Sequence, residues 1–211
     1  MLGANRCNDE RESDGSMSLV PPSLSDGAIQ LRRCSLEHRD VATQAMTESW
    51  AQLHDWLLWA QHEIPVTSFG ELIKDYDKAW EKDEDWRYFS FDELDGSFIG
   101  AANIYSMSGP EIAGIGYWVR TSRTGLGYAT RASRLLTSAA FDYLPLLRVV
   151  EIQMDEANAA STAVARHLGF HQVARIPKDK SLPASSGQAL LWRMERDEWA
   201  QLEAARSSLN E

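Results

Sequence analysis

Two glycines one residue apart, Gly125 and Gly127, stand between a strand-like segment and a helical pattern. Strand-forming residues lead up to Val119, and apolar residues recur at helical spacing from Ala132 onward. We therefore expect a helix to begin at about Gly127. Glycine lets the main chain approach a ligand closely, and the unpaired N–H groups of a first helical turn bind anions. This stretch predicts a pyrophosphate-binding loop.

The charges around this loop favour the same ligand. Residues 112–141 contain no Asp or Glu, although the whole chain has 31 acidic residues against 21 basic ones. A local positive region in a chain of net charge -10 suits a small polyanion better than a nucleic acid. The alternative is a glycine hinge beside a solvated arginine surface. The arginines of this region are Arg120, Arg123, Arg131 and Arg134.

A second segment combines a helix cap with a hydroxyl group one turn later. Asn158 follows a strand-like run, and its side chain can accept a hydrogen bond from a first-turn N–H group. Ser161 lies three residues further on and faces the same side of the predicted helix. Gly169 is expected to end this helix, and Phe170 to return to the core. As structure alone, the segment is a capped helix with a glycine stop.

Two common phosphate loops do not fit residues 124–130. The dinucleotide fingerprint needs a third glycine where Thr130 stands, and the nucleoside-triphosphate loop needs a lysine that is missing. Residues 124–129 instead resemble the acyl-CoA pyrophosphate loop of the GCN5-related N-acetyltransferases, with Thr124 replacing the usual Gln or Arg. The whole run Thr-Gly-x-Gly-Tyr-Ala-Thr is similar to the RimJ/RimL-type ribosomal-protein N-acetyltransferases. Residues 158–170 resemble the Asn-x-x-Ser and Gly-Phe motif of the same family, in the same order along the chain.

The resemblance implies acetyl-CoA bound in a V-shaped splay between two central strands. The strand ending at Val119 would give its main chain to the pantetheine, and the glycine loop would hold the pyrophosphate. Asn158 and Ser161 would lie near the cofactor and its sulfur. The implied cofactor-binding residues are Trp118, Val119, Arg120, Thr124, Gly125, Leu126, Gly127, Tyr128, Ala129, Thr130, Asn158 and Ser161.

Acetyl transfer to an amine needs a group that takes the amine's proton and one that protonates the departing sulfur. Ser161 is the candidate for the second role. For the first role, the resembled branch often has an acid before Ile-Gly-Tyr-Trp, but Gly114 occupies that position. We rank Glu151 first because strand alternation places it on one face with Gln153. A water chain to a distant carboxylate would serve as well. Other acidic candidates are Glu111, Asp155 and Glu156.

Two tryptophans, Trp56 and Trp59, are candidates for substrate binding. Their spacing of three on a predicted helix is more typical of core residues. In the resembled branch this helical region lines the acceptor cleft, so either ring could contact the substrate. No metal site is predicted, because the histidines lack metal-ligand spacing and Cys7 and Cys34 are the only cysteines.

The elements that must position these residues alternate along the chain. The pattern predicts helices at residues 36–60 and 69–81, with Thr67 or Ser68 as the cap of the second. Strands follow at 86–91, 98–105 and 112–120, the first two joined by a turn at Asp95-Gly96. After the helix that begins at about Gly127, the pattern predicts a strand, the helix capped by Asn158, two further strands and a closing helix. We expect one mixed α/β domain at residues 28–200, with a mostly antiparallel, splayed sheet and helices on both faces. Residues 1–27 are expected to be a disordered tail, and 201–211 a helix end or tail.

Composition limits the class of protein. At 211 residues, 44% hydrophobic and 25% charged, the chain can bury one substantial core. Its acidity argues against nucleic-acid or membrane partners, and the cysteine content suits a reducing cytoplasm. The sequence thus predicts a cytoplasmic, acetyl-CoA-dependent N-acetyltransferase acting on a protein N-terminus or a small amine, with detoxification as one outcome. A non-catalytic acyl-CoA sensor is the alternative. The oligomeric state is left open, with a homodimer among the options.

Overall fold

The computed structural model describes residues 18–61, 66–107 and 109–208, with the backbone alone for 66–68. Eight strands form one sheet in the order β1-β2-β3-β4-β5-β6-β8-β7. Neighbouring strands are antiparallel except for β5 and β6, which are parallel. The strands are β1 (Ser23–Ser25), β2 (Ile29–Arg33), β3 (Asp85–Asp92), β4 (Phe98–Met107), β5 (Gly109–Val119), β6 (Val149–Asp155), β7 (His171–Pro177) and β8 (Gln188–Glu195).

Helices cover both faces of the sheet. Tyr88 and Phe89 are adjacent in β3 and point in opposite directions, and they belong to two separate buried clusters. The cluster around Tyr88 receives α4, α5 and α6, and the cluster around Phe89 receives α1, α2 and most of α3. Within the described ranges, no helix is long and apolar enough to cross a membrane. The helices are α1 (Arg39–Glu48), α2 (Trp50–Trp56), α3 (Val66–Glu81), α4 (Tyr128–Tyr143), α5 (Ala159–Leu168) and α6 (Arg196–Ser208).

The two central strands separate after a short stretch of pairing. β5 and β6 are paired only at Ile112–Val149, Ala113–Val150 and Gly114–Glu151. Beyond that point β5 continues to Val119 beside β4, and β6 continues to Asp155 beside β8. The sheet therefore opens at the level of Gly114 and Glu151. This confirms the predicted fold class, a mixed and mostly antiparallel sheet with a splay between its central strands.

The predicted helix at 36–60 is wrong, because four shorter elements replace it. A 3-10 turn at Leu36–His38 precedes α1, and the helix is interrupted at Ser49 before α2 begins. Leu57 is then extended, and a second 3-10 turn follows at Leu58–Gln61. Ser49 is fully buried, and its hydroxyl accepts a hydrogen bond from the N–H of Thr121, 2.9 Å away. The break thus serves a contact with a distant loop, which helical periodicity cannot reveal.

The second predicted helix starts earlier than expected. α3 begins at Val66 rather than at Phe69, so the predicted cap residues Thr67 and Ser68 lie inside its first turn. Their side chains lie outside the described residues, as does Pro65. α3 still ends at Glu81, as the pattern predicted.

The predicted tail through residue 27 is wrong for its last part. Val20 is fully buried in the core, and the carbonyl oxygen of Pro21 accepts a hydrogen bond from the Tyr88 hydroxyl at 2.8 Å. Residues Ser23–Ser25 pair with β2 as an edge strand. A polar, proline-containing segment can form such an edge because the stability comes from backbone pairing on one side. At the other end of the chain, α6 runs through residues 201–208.

Candidate functional site

The loop before α4 has the backbone geometry that a small anion requires. Gly125 and Gly127 both adopt left-handed conformations, with φ of 75° and 81°. A Cβ atom at either position would meet no other atom within 4 Å, so the space above the loop is open. α4 starts at Tyr128, directly after Gly127, as the sequence predicted. The two glycines therefore turn the chain sharply and leave its amides uncovered.

The uncovered amides form a continuous set. The first N–H group of α4 with an acceptor is that of Arg131, which donates to the carbonyl of Gly127 at 3.0 Å. In the part of the chain that the structure describes, the N–H groups of residues 125–130 have no hydrogen-bond acceptor. Six successive donors at a helix N-terminus, beside an open space, match the requirements of a diphosphate.

The arginines near this loop are not free to bind an anion. Each is held by an acidic residue from another part of the chain, so the predicted positive region is largely neutralised. The guanidinium of Arg120, followed by Ser122, lowers the pKa of Glu48 to about 2. The backbone amides, rather than arginine side chains, are thus the free anion donors of this loop. The pairs are Arg120 with Glu48, Arg123 with Asp92 and Asp95, Arg131 with Asp26, and Arg134 with Glu203.

The junction between α1 and α2 fixes the chain that leads into the loop. Glu48 accepts a hydrogen bond from the N–H of Ser122 at 3.0 Å, and Ser49 accepts one from the N–H of Thr121. The side-chain amide of Gln52 lies 3.4 Å from the carbonyl oxygen of Val119. Residues 119–122 are therefore clamped from the face that carries α1 and α2, and this clamp orients the start of the glycine loop.

The splay exposes one edge of β5 to the space between the strands. Residues 115–119 have no partner on the β6 side, so main-chain groups along that edge are available to a ligand. The Tyr117 hydroxyl lies 3.5 Å from the carbonyl oxygen of Ser161, which places the start of α5 opposite β5. Burial raises the pKa of Tyr117 to about 12, so this hydroxyl stays protonated. Ser161, half-buried, thus lies at the start of α5 beside Tyr117 of β5.

Asn158 caps α5 as the sequence predicted. Its side-chain oxygen accepts a hydrogen bond from the N–H of Ser161 at 3.0 Å, and Gly169 ends the helix in a left-handed conformation. We expect Asn158→Ala to lower the free energy of unfolding by about 1 kcal/mol, because the first-turn N–H group loses its acceptor. Urea denaturation measures this. Asn158→Ser, which keeps a capping oxygen, should recover most of the loss; an equal loss in both variants would argue against a capping role.

A row of side chains crosses the sheet where the splay begins. Register pairs Asp85 with Tyr105, Tyr105 with Gly114, Gly114 with Glu151 and Glu151 with Arg193. Directly paired residues on adjacent strands point to the same face, so these side chains share the face that carries α1, α2 and α3. The Glu151 side chain is 6% exposed, and Arg193 donates a hydrogen bond to it at 2.5 Å. Of the predicted acids, Glu151 is the one at the vertex of the splay.

The other acidic candidates have different surroundings. Glu111 is largely exposed beside Arg148, and Glu156 pairs with Arg175 at 2.7 Å. Asp155 accepts hydrogen bonds from the loop before β8, at Ser185 and Ser186. These contacts indicate structural roles. Across the described ranges, no three His, Cys, Asp or Glu side chains are grouped as a metal site requires.

Tyr105 is the residue of this row that sequence reasoning missed. A Cβ atom at Gly114 would lie 2.2 Å from Cζ of Tyr105 and 2.5 Å from its hydroxyl oxygen, so the phenol ring covers Gly114. The neighbouring Gly116 is covered in a similar way by the side-chain oxygen of Asn103, at 2.8 Å. Glycine at position 114 is therefore required by the ring packed on it. An acidic side chain at position 114 would overlap this ring.

A double-mutant cycle tests this packing. We expect Gly114→Ala to lower the free energy of unfolding by about 2 kcal/mol, because the new methyl group overlaps the Tyr105 ring. In a Tyr105→Ala background the same change should cost less than about 0.5 kcal/mol. Gly116→Ala serves as the control, since its Cβ would overlap Asn103 and would lie only in ordinary contact with Tyr105, 3.9 Å from Cε1, so its cost should change little in the Tyr105→Ala background. Equal costs of Gly114→Ala in both backgrounds would show that the ring does not occupy this space.

The structure separates the two predicted substrate tryptophans. Trp59 is 40% exposed, and its ring centroid lies 6.4 Å from that of Trp118, which in turn lies 6.1 Å from Phe98. Trp56 ends α2 and, among the described side chains, makes no ring contact with Trp118. Trp59 and Trp118 thus form an aromatic wall on the same face as Glu151. Trp118 contributes its side chain to this wall as well as its main chain to β5.

The sheet opens between two central strands, and uncovered amides lie at the start of the helix that follows the first of them, an arrangement suited to a diphosphate group. A family profile described as "Acetyltransferase (GNAT) domain" matches residues 28–171. The chain belongs to the GNAT acetyltransferase family.

Individual relatives are consistent with this assignment. The Bacillus subtilis (strain 168) protein named "Probable N-acetyltransferase YjcK" is 31% identical over 118 residues, which is 55% of this chain and 65% of that protein, just under two thirds of its length. The structure of Mycobacterium smegmatis RimJ in complex with CoA-disulfide is 25% identical, with a TM-score of 0.73 over 88% of this chain and 93% of that one. The structure of RimL, a ribosomal L7/L12 alpha-N-protein acetyltransferase in complex with coenzyme A, has a TM-score of 0.74 and 19% identity over 85% of this chain and 98% of that one.

Proposed function

We propose that this protein is an acetyl-CoA-dependent N-acetyltransferase that acts on a primary amine. The main support for the proposal is the set of amides at residues 125–130 that have no hydrogen-bond acceptor. These amides follow β5, the strand that separates from β6 at the splay. Phosphate oxygens are the strongest common acceptors for such a set. The named relatives that were solved with coenzyme A share this fold.

The residues fit acetyl-CoA along its length. The amides of residues 125–130 would hold the diphosphate, and the free edge of β5 at residues 115–119 would hold the pantetheine. Asn158 uses its side-chain oxygen as a cap, so its amide nitrogen is left for a ligand near Ser161. When bound, acetyl-CoA would supply an acetyl thioester that an amine can attack.

Two side chains would move protons. Glu151 stands at the vertex of the splay, where its carboxylate can take a proton from an acceptor ammonium and leave the nitrogen lone pair free. Ser161 presents a hydroxyl at the start of α5 and can give a proton to the sulfur that departs. Tyr117 holds the Ser161 carbonyl from the opposite strand and so fixes the position of that turn.

The acceptor would approach from the face that carries α1, α2 and α3. Glu151 and the aromatic wall of Trp59 and Trp118 share that face, so a cationic amine on an apolar or peptide body suits it. We propose the amino terminus of a protein as the first acceptor class and a small primary amine as the second. The net charge of -10 favours cationic acceptors of either class.

Calorimetry with CoA and a thiol-release assay with acetyl-CoA test the proposal. The assay uses a panel of peptides with free N-termini and small primary amines, with N-acetylated peptides as matched controls. We expect CoA binding and thiol release with at least one free amine and with none of the blocked peptides. Failure to bind CoA would refute the coenzyme site. CoA binding without thiol release for any amine would favour the sensor alternative.

A further inference from the structure

Tyr105 faces the splay, although the reaction described above gives it no role. Its ring lies over Gly114, the residue at which β5 and β6 stop pairing. Its partners along the cross-sheet row are Asp85 on one side and Glu151 beyond Gly114 on the other. A hydroxyl group therefore stands at the vertex of the splay, on the same face as the Glu151 carboxylate.

The Tyr105 hydroxyl retains its hydrogen-bonding capacity. Among the described residues it has no hydrogen-bond partner, and it is not one of the polar atoms sealed from solvent. Asp85 differs in this respect, because Arg87 donates to it at 2.8 and 3.0 Å and Asn103 donates to it at 3.0 Å. Asp85 is thus occupied by protein donors, whereas the phenol is available to a ligand.

The environment keeps this phenol protonated. Burial raises the pKa of Tyr105, and the charges of Glu151 and Asp85 raise it further, while Arg87 opposes the shift. Arg193 and Glu151 face it from beyond Gly114. A neutral phenol oxygen can accept a hydrogen bond from an amine N–H while its own O–H points to a carboxylate. Near neutral pH, Tyr105 is therefore suited to hold an amine beside a base.

We propose that Tyr105 and Glu151 together form the subsite for the acceptor amine, in which the phenol oxygen accepts an N–H bond and Glu151 takes the proton. This inference rests on the proposed function. In the proton transfer, one N–H bond of the ammonium breaks, one O–H bond forms on Glu151, and the nitrogen keeps the electron pair. The proton passes from Glu151 to solvent after each turnover.

Placing the amine here also explains the glycine at position 114. A side chain at that position would overlap the Tyr105 ring, and it would occupy the vertex that the amine has to enter. The amine would thus be held by two side chains on either side of β5, a phenol from β4 and a carboxylate from β6. Gly114 leaves the gap between them open.

Tyr105→Phe tests the subsite, with Ala-Ala-Ala-Ala and n-butylamine as probes. We expect kcat/KM for both amines to fall about tenfold, mainly through KM, because one hydrogen bond to the amine is lost. CoA affinity should stay within about twofold. Tyr88→Phe is the control for loss of a tyrosine hydroxyl: Tyr88 faces the other side of the sheet, where its hydroxyl donates to the Pro21 carbonyl. Tyr88→Phe should therefore lower the free energy of unfolding and leave kcat and KM for both amines unchanged.

A binding measurement provides a readout that does not depend on turnover. Calorimetry on the CoA-bound protein compares Ala-Ala-Ala-Ala with its N-acetylated form. The wild type should prefer the free amine, and Tyr105→Phe should lose about tenfold of that preference. If the wild type acetylates amines and Tyr105→Phe keeps both its KM and its preference, the subsite is wrong while the proposed function stands. If the wild type binds CoA and acetylates nothing, the proposed function fails and the subsite fails with it.

Discussion

Gly127→Glu is expected to weaken CoA binding at least about 100-fold while the fold stays intact. The new carboxylate would lie against the acceptor-free amides of residues 125–130 and would occupy or repel the position of a diphosphate. A factor of about 100 corresponds to about 2.7 kcal/mol, which lies within the several kcal/mol that like-charge juxtaposition costs. Because a Cβ atom at this position meets no other atom, the change should not disturb packing. Calorimetry with CoA measures the affinity, and circular dichroism checks the fold.

Gly96→Glu is the matched control for this variant. Gly96 also has a left-handed φ, 70°, and its Cβ would also meet no atom within 4 Å. Both variants should therefore lose about 1–2 kcal/mol of stability from backbone strain. Gly96 lies in the turn between β3 and β4, away from the amide set, so its variant should bind CoA normally. If Gly127→Glu keeps wild-type affinity, the glycine loop does not bind the coenzyme.

The glycine loop and the α5 cap were predictable because both are local. A positive φ at Gly125 and Gly127 and a side-chain cap at Asn158 depend on residues within one turn of each other. Runs of strand-forming residues likewise predicted β3, β4 and β5, and the turn at Asp95-Gly96 linked β3 to β4. Local sequence patterns of this kind predict local structure correctly, because that structure does not depend on contacts with distant residues.

Features that depend on distant contacts were missed. The break at Ser49 exists because its hydroxyl binds Thr121, which lies 72 residues away. The arginines near the loop pair with acidic residues from distant parts of the chain, so local charge counting overstated the positive region. Three of these acids are Asp26, Glu48 and Glu203. β1 is short and polar, and only its pairing with β2 reveals it.

The vertex of the splay was predictable only in part. Strand alternation predicted the face of Glu151, but not that pairing with β5 would end at that residue. Tyr105 carried no signal, because its role depends on the register of β4 against β5 and on the missing side chain of Gly114. Register across a sheet is set by the whole fold, so a single sequence could not place the two residues together.

Glu151→Gln is expected to lower kcat/KM for amines at least about 100-fold, with CoA affinity within about twofold of wild type. Gln has the same shape and keeps an oxygen for the hydrogen bond from Arg193, but it cannot take a proton from the ammonium. Since β5 and β6 separate at this residue, no other predicted acid stands at the vertex. Steady-state thiol release with acetyl-CoA measures the loss. In the variant only the amine that is already neutral can react, so kcat/KM should rise with pH up to the pKa of the acceptor amine.

Glu111→Gln provides the control for Glu151→Gln. Glu111 is largely exposed and lies 3.4 Å from Arg148 near the start of the β5–β6 pairing, so its variant carries the same chemical change outside the splay. Its turnover should match that of the wild type. Unchanged turnover in Glu151→Gln would assign the proton to a water chain that leads to a different carboxylate. If the wild type and both variants bind the coenzyme but none of them turns over, the protein is instead a sensor of acyl-CoA. In a sensor Glu151 accepts no proton, so Glu151→Gln should leave the affinity for the coenzyme unchanged.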